Sequence, residues 1–366
     1  MEKVRYAVVG LGHIAQTAVL PAFEHASRNS ELMALVSGHE RKRRELGRRY
    51  GVRTLHDYEE FDDLLDSGEV DAVYLATPNS EHRRDAIRAA EAGVNVLCEK
   101  PLSITEEDCE AMIDAANANG VKLMTAYRLH FERANLDAIE KIASGKLGDP
   151  RLFSSTFSFQ VKPGNIRLRE RLGGGPLYDI GVYCINAARY LFRAEPIEVC
   201  ALSGQGRDPR FREVAESVSA ILRFPGDRLA TFSVSFGAVS TACYRVVGTE
   251  GEMKLDPAYE YEGPIRRTTR VAGKKKQERN YPPRDQFAPE LLYFSDCVLK
   301  NREPEPDGLE GLADVRVICA LQRSIELGET IALPPFEKRK RPGNGQQIQR
   351  PAVDVPDPVD ADAPTV

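Results

Sequence analysis

Three short stretches of this chain hold residues whose types and spacing suit chemistry. One is Cys98-Glu99-Lys100-Pro101, where a carboxylate, an amine and a proline follow the apolar run Val96-Leu97-Cys98. Such a run behind Gly93 suits the interior of a parallel sheet, and these sheets bind ligands where the chain leaves the carboxyl ends of their strands. A lysine there lies partly desolvated beside a ligand, with its pKa free to drop, and Pro101 stops the strand and fixes the turn. Taken alone, the tripeptide is equally well explained as a Glu–Lys pair capping a strand in water. The second stretch is Gly10-Leu11-Gly12-His13-Ile14-Ala15. The third is Gly173-Gly174-Gly175-Pro176, followed by Asp179 and Tyr183. Residues four apart on a helix project from one face, so this acid and this phenol share a face, with Arg189 further along the same helix.

The elements that must position these residues can be read in order. The β-branched and aromatic run 4–9 precedes the glycine stretch, and an apparent helix over 16–26 follows it. In that setting Gly10 permits the tight turn and Gly12 lets the backbone approach a pyrophosphate. Ala15 keeps helix and strand close, while free N–H groups at the helix start face the phosphates. The plain alternative is a small-residue turn in some other α/β protein. A second strand, 32–36, ends in Ser37-Gly38-His39-Glu40-Arg41-Lys42-Arg43-Arg44. A site for NAD would usually place Asp or Glu there to grip the ribose 2′-hydroxyl. The hydroxyl of Ser37, the glycine at 38 and a cation such as Lys42 suit a 2′-phosphate, which a carboxylate would repel, so NADP is favoured over NAD. Against this stands a solvated basic helix face with Glu40 inside it.

Strand 71–76 leads to Thr77-Pro78-Asn79-Ser80-Glu81-His82, with Asn79 or Ser80 as the cap of a helix over 81–92 and Gly93 closing it. His82 is a candidate for the cofactor's edge, weighed against a structural surface histidine. The segment 103–118 opens Ser-x-x-Glu as a capping box does, and strand 121–126 ends at Tyr127-Arg128. After a helix over 135–144 and the seam Gly148-Asp149-Pro150, period-two strands appear at 152–159, 218–224, 229–236 and 244–248. A last amphipathic helix covers 309–327, and 331–333 suits a final short strand. The expected architecture is an α/β N-terminal Rossmann domain over 1–128 plus an α+β C-terminal domain over 129–333. The latter carries a large, mainly antiparallel open sheet. The Pro-rich segment 334–366, first basic and then acidic, is expected to be a disordered or loosely attached tail.

Composition narrows the class. A hydrophobic fraction of 42% and a charged fraction of 29% describe a soluble globular protein, and a net charge of -5 argues against nucleic-acid binding. No apolar stretch approaches the roughly 20 residues of a membrane span. The seven cysteines are scattered without a CxxC pair, so they read as buried thiols rather than a disulfide or zinc framework, and no metal site is expected. The first residues run into a strand with no secretory apolar segment, which makes the cytoplasm the expected compartment.

With these motifs the chain resembles the glucose–fructose oxidoreductase/inositol dehydrogenase family of NAD(P)-dependent sugar oxidoreductases. The resemblance covers nearly all of 4–333. It rests on GLGHIA at 10–15, TPNSEH at 77–82, CEKP at 98–101, RLRERLGGGPLYDIGVY at 167–183 and EGLADVR at 310–316. Ser37-Gly38 with Lys42, and Tyr183 where many relatives have His, point to the glucose–fructose oxidoreductase branch. The resemblance implies an NADP-dependent enzyme acting on a sugar, with Lys100, Asp179 and Tyr183 as the catalytic group and a cis bond before Pro101. It also implies cofactor contacts from Gly10, Gly12, His13, Ile14, Ser37, Gly38, Lys42, Thr77, Pro78, Asn79, His82, Glu99, Lys100, Arg128 and Arg167. A homodimer or homotetramer through the large sheet is implied as well. The chain departs from that branch at Ile166, where the branch has Trp before the arginine; this chain contains no Trp. Oxidising a sugar carbinol needs hydride transfer to the nicotinamide and removal of the hydroxyl proton. A phenol with a pKa near 10 serves as base only if an ammonium such as Lys100 lowers it. A dinucleotide-binding sensor or regulator without turnover is the rival reading, and intact Lys100 and Tyr183 favour the enzyme.

Overall fold

Strand β1 (Val4–Val9) is buried along almost its whole length, and it pairs in parallel with β2 (Ser30–Val36) on one side and β4 (Ala72–Leu75) on the other. With β3 (Thr54–His56), β5 (Asn95–Glu99) and β6 (Leu123–Ala126) it forms a six-stranded parallel sheet in the order β3-β2-β1-β4-β5-β6. All four residues of β4 are buried, as expected of a strand covered on both faces. The order reverses between β1 and β4, the switch point at which such sheets open a crevice beyond their carboxyl ends. This computed structural model describes residues 2–338 and 340–365.

The second sheet has nine strands: β7 (Pro150–Ser158), β8 (Glu198–Gly204), β9 (Ser217–Phe224), β10 (Arg228–Ser235), β11 (Thr241–Gly248), β12 (Gly251–Leu255), β13 (Ile265–Val271), β14 (Gln277–Tyr281) and β15 (Ile331–Ala332). Their order is β14-β13-β12-β11-β7-β10-β9-β8-β15, and every pair is antiparallel except β7 with β10. Burial alternates along β9 and β10, with Val218, Ala220, Leu222, Ala230, Phe232 and Val234 turned inward. The outward rows hold Ser, Thr and Arg together with the half-exposed Leu152 and Ile221. Strands β8, β12, β13 and β14 were not expected from the sequence. β13 and β14 are mainly polar stretches, which show themselves as strands only once a neighbouring strand supplies the partner.

Two units make up the chain, and they differ from the expected division. One comprises Met1–Arg128, Arg284–Leu312 and Ile348–Pro364; the other comprises Leu129–Pro283, Ala313–Gln347 and Thr365. The expected second domain thus loses 284–312 to the first unit, and much of the expected loose tail belongs to that unit too. The helix Ala288–Leu299, absent from the sequence reading, explains the first change. The hydroxyl of Tyr6 on β1 and that of Ser30 on β2 both meet the Ser295 hydroxyl at 2.8 Å, and the Asn29 amide donates to the Leu292 carbonyl at 3.0 Å. These buried polar groups need partners, and a helix remote in sequence supplies them.

Local starts also differ. The helix Glu106–Ala118 is capped by Thr105, whose hydroxyl accepts from the Asp108 N–H at 3.1 Å, so the expected Ser103 box does not form. Neither Asn79 nor Ser80 caps the next segment, which enters the helix His82–Glu91 through a 3₁₀ turn. Among the described residues no helix is long and apolar enough to cross a membrane.

In the second unit the helix Val182–Phe192 packs on the inner face of the nine-stranded sheet. The Phe192 ring lies 5.0 Å from that of Phe224 and 6.5 Å from that of Phe153. Arg189 on this helix is wholly buried. Its guanidinium meets Asp314 at 2.6 Å and Glu195 at 2.6 and 3.1 Å, and Asn186 donates to the other Asp314 oxygen at 2.8 Å. Asp314 is thereby the structural content of the EGLADVR motif. Asp314→Ala should strip the buried guanidinium of its innermost carboxylate at a cost of about 3–5 kcal/mol. The expected observation is a large drop in the urea midpoint of the full chain, and a midpoint like that of the parent would remove Asp314 as the anchor.

Candidate active site

Gly10 has φ 91°, and a Cβ on it would lie 2.6 Å from the Ala76 carbonyl oxygen and 2.9 Å from the Thr77 nitrogen. The turn after β1 therefore presses on the turn after β4, an approach open only to glycine. Gly12 is the opposite case: a Cβ there would find no atom within 4 Å, which leaves room for a pyrophosphate. His13 and Ile14, both half-exposed, lead into a single π turn, Ala15–Val19, before the helix Leu20–Ala26. Turns of this kind recur at functional sites.

At the end of β2 the Ser37 side chain is buried, and its oxygen accepts from the His39 N–H at 3.3 Å. The Arg43 guanidinium holds the Ser37 carbonyl, and the Tyr58 ring lies against the exposed Gly38. Lys42 is 9% exposed; burial pushes its ammonium down from the ordinary lysine value, and Asp360 partly opposes this. Open space at Gly12 at the entry to a helical segment, and a hydroxyl and a cation beyond β2, together fit a dinucleotide.

Beyond β5 the Lys100–Pro101 bond is cis. Glu99 accepts from the Tyr74 hydroxyl at 2.8 Å and from the Lys100 N–H at 3.2 Å. Burial, with Glu99 adding, keeps the Tyr74 phenol well above its ordinary pKa, so it remains a donor to that carboxylate. His82, expected at the cofactor's edge, is wholly buried. Its Nδ1 lies 3.0 Å from the Pro101 carbonyl oxygen and its Nε2 lies 3.0 Å from that of Thr77. Burial lowers its pKa while the carbonyls of Pro101 and Thr77 and the Glu99 charge resist. The ring thus ties the turn after β4 to the turn after β5. The Thr77 hydroxyl reaches Asp85 at 3.4 Å, and Pro78 and Asn79 are half-exposed beside it. Arg128 and Tyr127 are both buried, with the Arg128 guanidinium on the Gln286 side chain.

In the second unit, from Gly175 to Phe192, every residue is buried except Asp179 and Tyr183. A π turn, Leu177–Gly181, opens this helical stretch. A Cβ on Gly174 would lie 2.5 Å from the Arg167 carbonyl oxygen, so the glycine run admits the 165–169 loop at contact distance. The Gly175 N–H donates to that same carbonyl at 2.8 Å. The loop delivers Arg167 to Asp179, Nε to Oδ2 at 2.7 Å. Arg167, a residue expected at the cofactor, thus bonds the acid through its Nε and stays partly exposed. The Tyr183 ring packs edge-on to Phe157 at 5.7 Å and tilts over Tyr259 at 5.9 Å.

Two residues escaped the sequence reading. Gln16 is wholly buried; its amide donates to the Leu11 carbonyl and to the Val359 carbonyl, each at 2.9 Å, and accepts from the Val359 N–H at 2.7 Å. A lone amide in the run Ala15-Gln16-Thr17-Ala18-Val19 was the available signal. Glu290 is also wholly buried, with neither carboxylate oxygen hydrogen-bonded. No motif marks it, because its surroundings come from distant strands.

Burial pushes the Glu290 carboxyl well up, Glu99 and Asp285 adding to this and Arg128 opposing. An unfolded chain loses that proton near pH 4.3, while the folded chain holds it. Folding therefore takes up a proton, and stability is lost as pH rises from the unfolded value toward the folded one. Glu290→Gln removes the penalty, so its stability advantage should grow between pH 5 and pH 8, by up to about 1.4 kcal/mol per unit. Denaturant midpoints across that range test this, and a difference independent of pH would show that the carboxyl ionises alike in both states.

Residues 4–127 match the model of an oxidoreductase family with an NAD-binding Rossmann fold, and residues 136–254 match the GFO/IDH/MocA C-terminal domain. The chain is 32% identical to a D-xylose 1-dehydrogenase [NADP(+)] of Haloarcula marismortui, over 90% of this chain and 93% of that protein. Among solved structures, an aldose-aldose oxidoreductase from Caulobacter crescentus superposes with a TM-score of 0.86 at 40% identity, covering 90% of this chain and all of that one. KijD10, a 3-ketoreductase from Actinomadura kijaniata determined with NADP, gives a TM-score of 0.81 at 27% identity, covering 88% and 98%. On its motifs, its two sheets and these matches, the chain belongs to the GFO/IDH/MocA oxidoreductase family.

Proposed function

We propose that this chain is an NADP-dependent oxidoreductase that transfers a hydride between the nicotinamide and a sugar, an aldose, ketose or related polyol. The observation that carries the reading is the exposure pattern of the helical stretch at 177–192, buried throughout except at Asp179 and Tyr183. A fold that hides every other residue there leaves one acid and one phenol for a substrate. NADP, when bound, supplies the hydride acceptor or donor at nicotinamide C4. The rest falls to the chain. Tyr183 takes the proton of the reacting hydroxyl, or returns it in the reverse direction, and Lys100 supplies a positive charge to the reaction. Asp179, fixed by Arg167, accepts a neighbouring sugar hydroxyl.

Gly10, Gly12 and the start of the Ala15–Val19 turn cradle the pyrophosphate in this reading, while Ser37, Gly38 and Lys42 receive the 2′-phosphate. The xylose and aldose names of the relatives make pentoses and aldohexoses the first substrates to try. We also propose that the chain acts as a homodimer or homotetramer through the outward face of the nine-stranded sheet, where Leu152, Leu202 and Ile221 stand at least half exposed. Cytoplasmic residence is proposed as well, since no cysteine among the described residues forms a disulfide.

Fluorescence titration with NADPH and NADH, followed by a sugar panel, tests the assignment. Tyr183→Phe should bind NADPH like the parent and lose roughly two to four orders of magnitude in turnover. Tyr127→Phe, altering a phenol that is 3% exposed, should keep most of it. The reverse pattern would move the proton to Tyr127. Tight dinucleotide binding with no turnover across the panel would favour a sensor of the same fold. Ser37→Asp should weaken NADPH and favour NADH by charge repulsion, and an unchanged ratio of the two affinities would remove Ser37 from the 2′-phosphate site.

A further inference from the structure

The segment Ile348–Pro364 belongs to the first unit, and its attachment points are the residues of the dinucleotide half. Gln16, the first residue after GLGHIA, grips Val359 through two hydrogen bonds of 2.9 and 2.7 Å, and Val359 is 5% exposed. The Arg49 guanidinium donates to the Asp357 carbonyl at 2.9 Å. Next to this clamp, Asp360 reaches Arg41, carboxylate oxygen to Nη1 at 3.0 Å, and its charge also acts on Lys42. Its backbone has φ 46°, the left-handed region that Asp and Asn tolerate better than most residues.

We propose that Asp360 is a specificity-determining residue of the dinucleotide site, a carboxylate brought in by the C-terminal segment that tempers the preference for NADP. The inference rests on the reading that 37–42 receives the adenosine ribose. The end of β2 carries Ser37 in place of the acid that would grip a ribose 2′-hydroxyl and repel a 2′-phosphate. Asp360 restores a negative charge there from the other end of the sequence. It pairs with Arg41, the residue before Lys42, and its charge acts on Lys42 itself, so a 2′-phosphate held by Lys42 bears its repulsion. NADH, with a hydroxyl in that place, does not meet that cost.

The test measures NADPH and NADH affinities by fluorescence for the parent, D360N and D362N, each as the full chain, at low and high salt. Asparagine keeps the backbone preference at 360 and removes only the charge. D362N makes the same change in net charge two residues on. D360N should bind NADPH about three- to tenfold tighter, as expected when an exposed ion pair and a like-charge contact are removed together. NADH should stay within about twofold, and the gain should shrink at high salt. An unchanged or weaker NADPH affinity in D360N overturns the proposal, as does an equal gain in D362N. If the parent binds NADPH and D360N gains nothing, only the role of Asp360 fails. If neither protein binds NADPH, the assignment of the site to NADP fails with it.

Discussion

A guanidinium with no access to water must be met by carboxylates, and Arg189 imposes that demand on the second unit. Desolvating a charge costs several kcal/mol unless the geometry of its partners repays it. Asp314 and Glu195 meet Arg189, Asn186 completes Asp314, and the His130 ring meets the Asn186 oxygen at 2.8 Å. Such a network sets the rotation of the helix Val182–Phe192 about its axis, because turning it would leave a buried charge unmatched. The aromatic contacts of Phe192 then hold the same helix on the sheet. With these faces committed, Asp179 and Tyr183 remain on the accessible one. Exposure of the acid and the phenol is thus a consequence of what the rest of the helix must bury.

The first unit solves a different problem, that of holding several loops at the carboxyl ends of parallel strands. Three of these loops are tied to one another in series. Gly10 lets the turn after β1 touch the turn after β4, and His82 links that turn to the one after β5. Glu99 is held from beneath by Tyr74 of the adjacent strand. Loops joined in this way shift only together, which suits a site that must align an extended cofactor. The cost is a set of buried polar groups, among them Glu290, neither of whose oxygens is hydrogen-bonded.

Charge at the end of β2 is balanced with residues from both ends of the chain. Arg41, Lys42 and Arg43 follow Ser37 closely, yet one is spent on the Ser37 carbonyl and another on Asp360. A count of positive charges in the sequence therefore overstates what is offered to a phosphate.

The parallel α/β half, the glycine turn after β1, the Glu-Lys-Pro strand end and the Asp179–Tyr183 helix were all legible in the sequence. Each is set by local rules: an apolar run of strand length, a glycine where the backbone must turn or approach closely, a fixed number of residues per helical turn. What the sequence left open is what depends on partners far along the chain. The helix Ala288–Leu299 belongs with the first sheet because Tyr6, Asn29 and Ser30 have buried polar groups to satisfy. His82 is an internal tie because two carbonyls from separate loops converge on its ring. Arg167 serves Asp179 because Gly174 admits its loop at contact distance. The acidic segment at 357–360 has a place because Gln16, a single buried amide, offers both a donor and an acceptor to its backbone. Local pattern tells which residues form an element, while the satisfaction of buried polar groups, decided only in three dimensions, tells what each element is for.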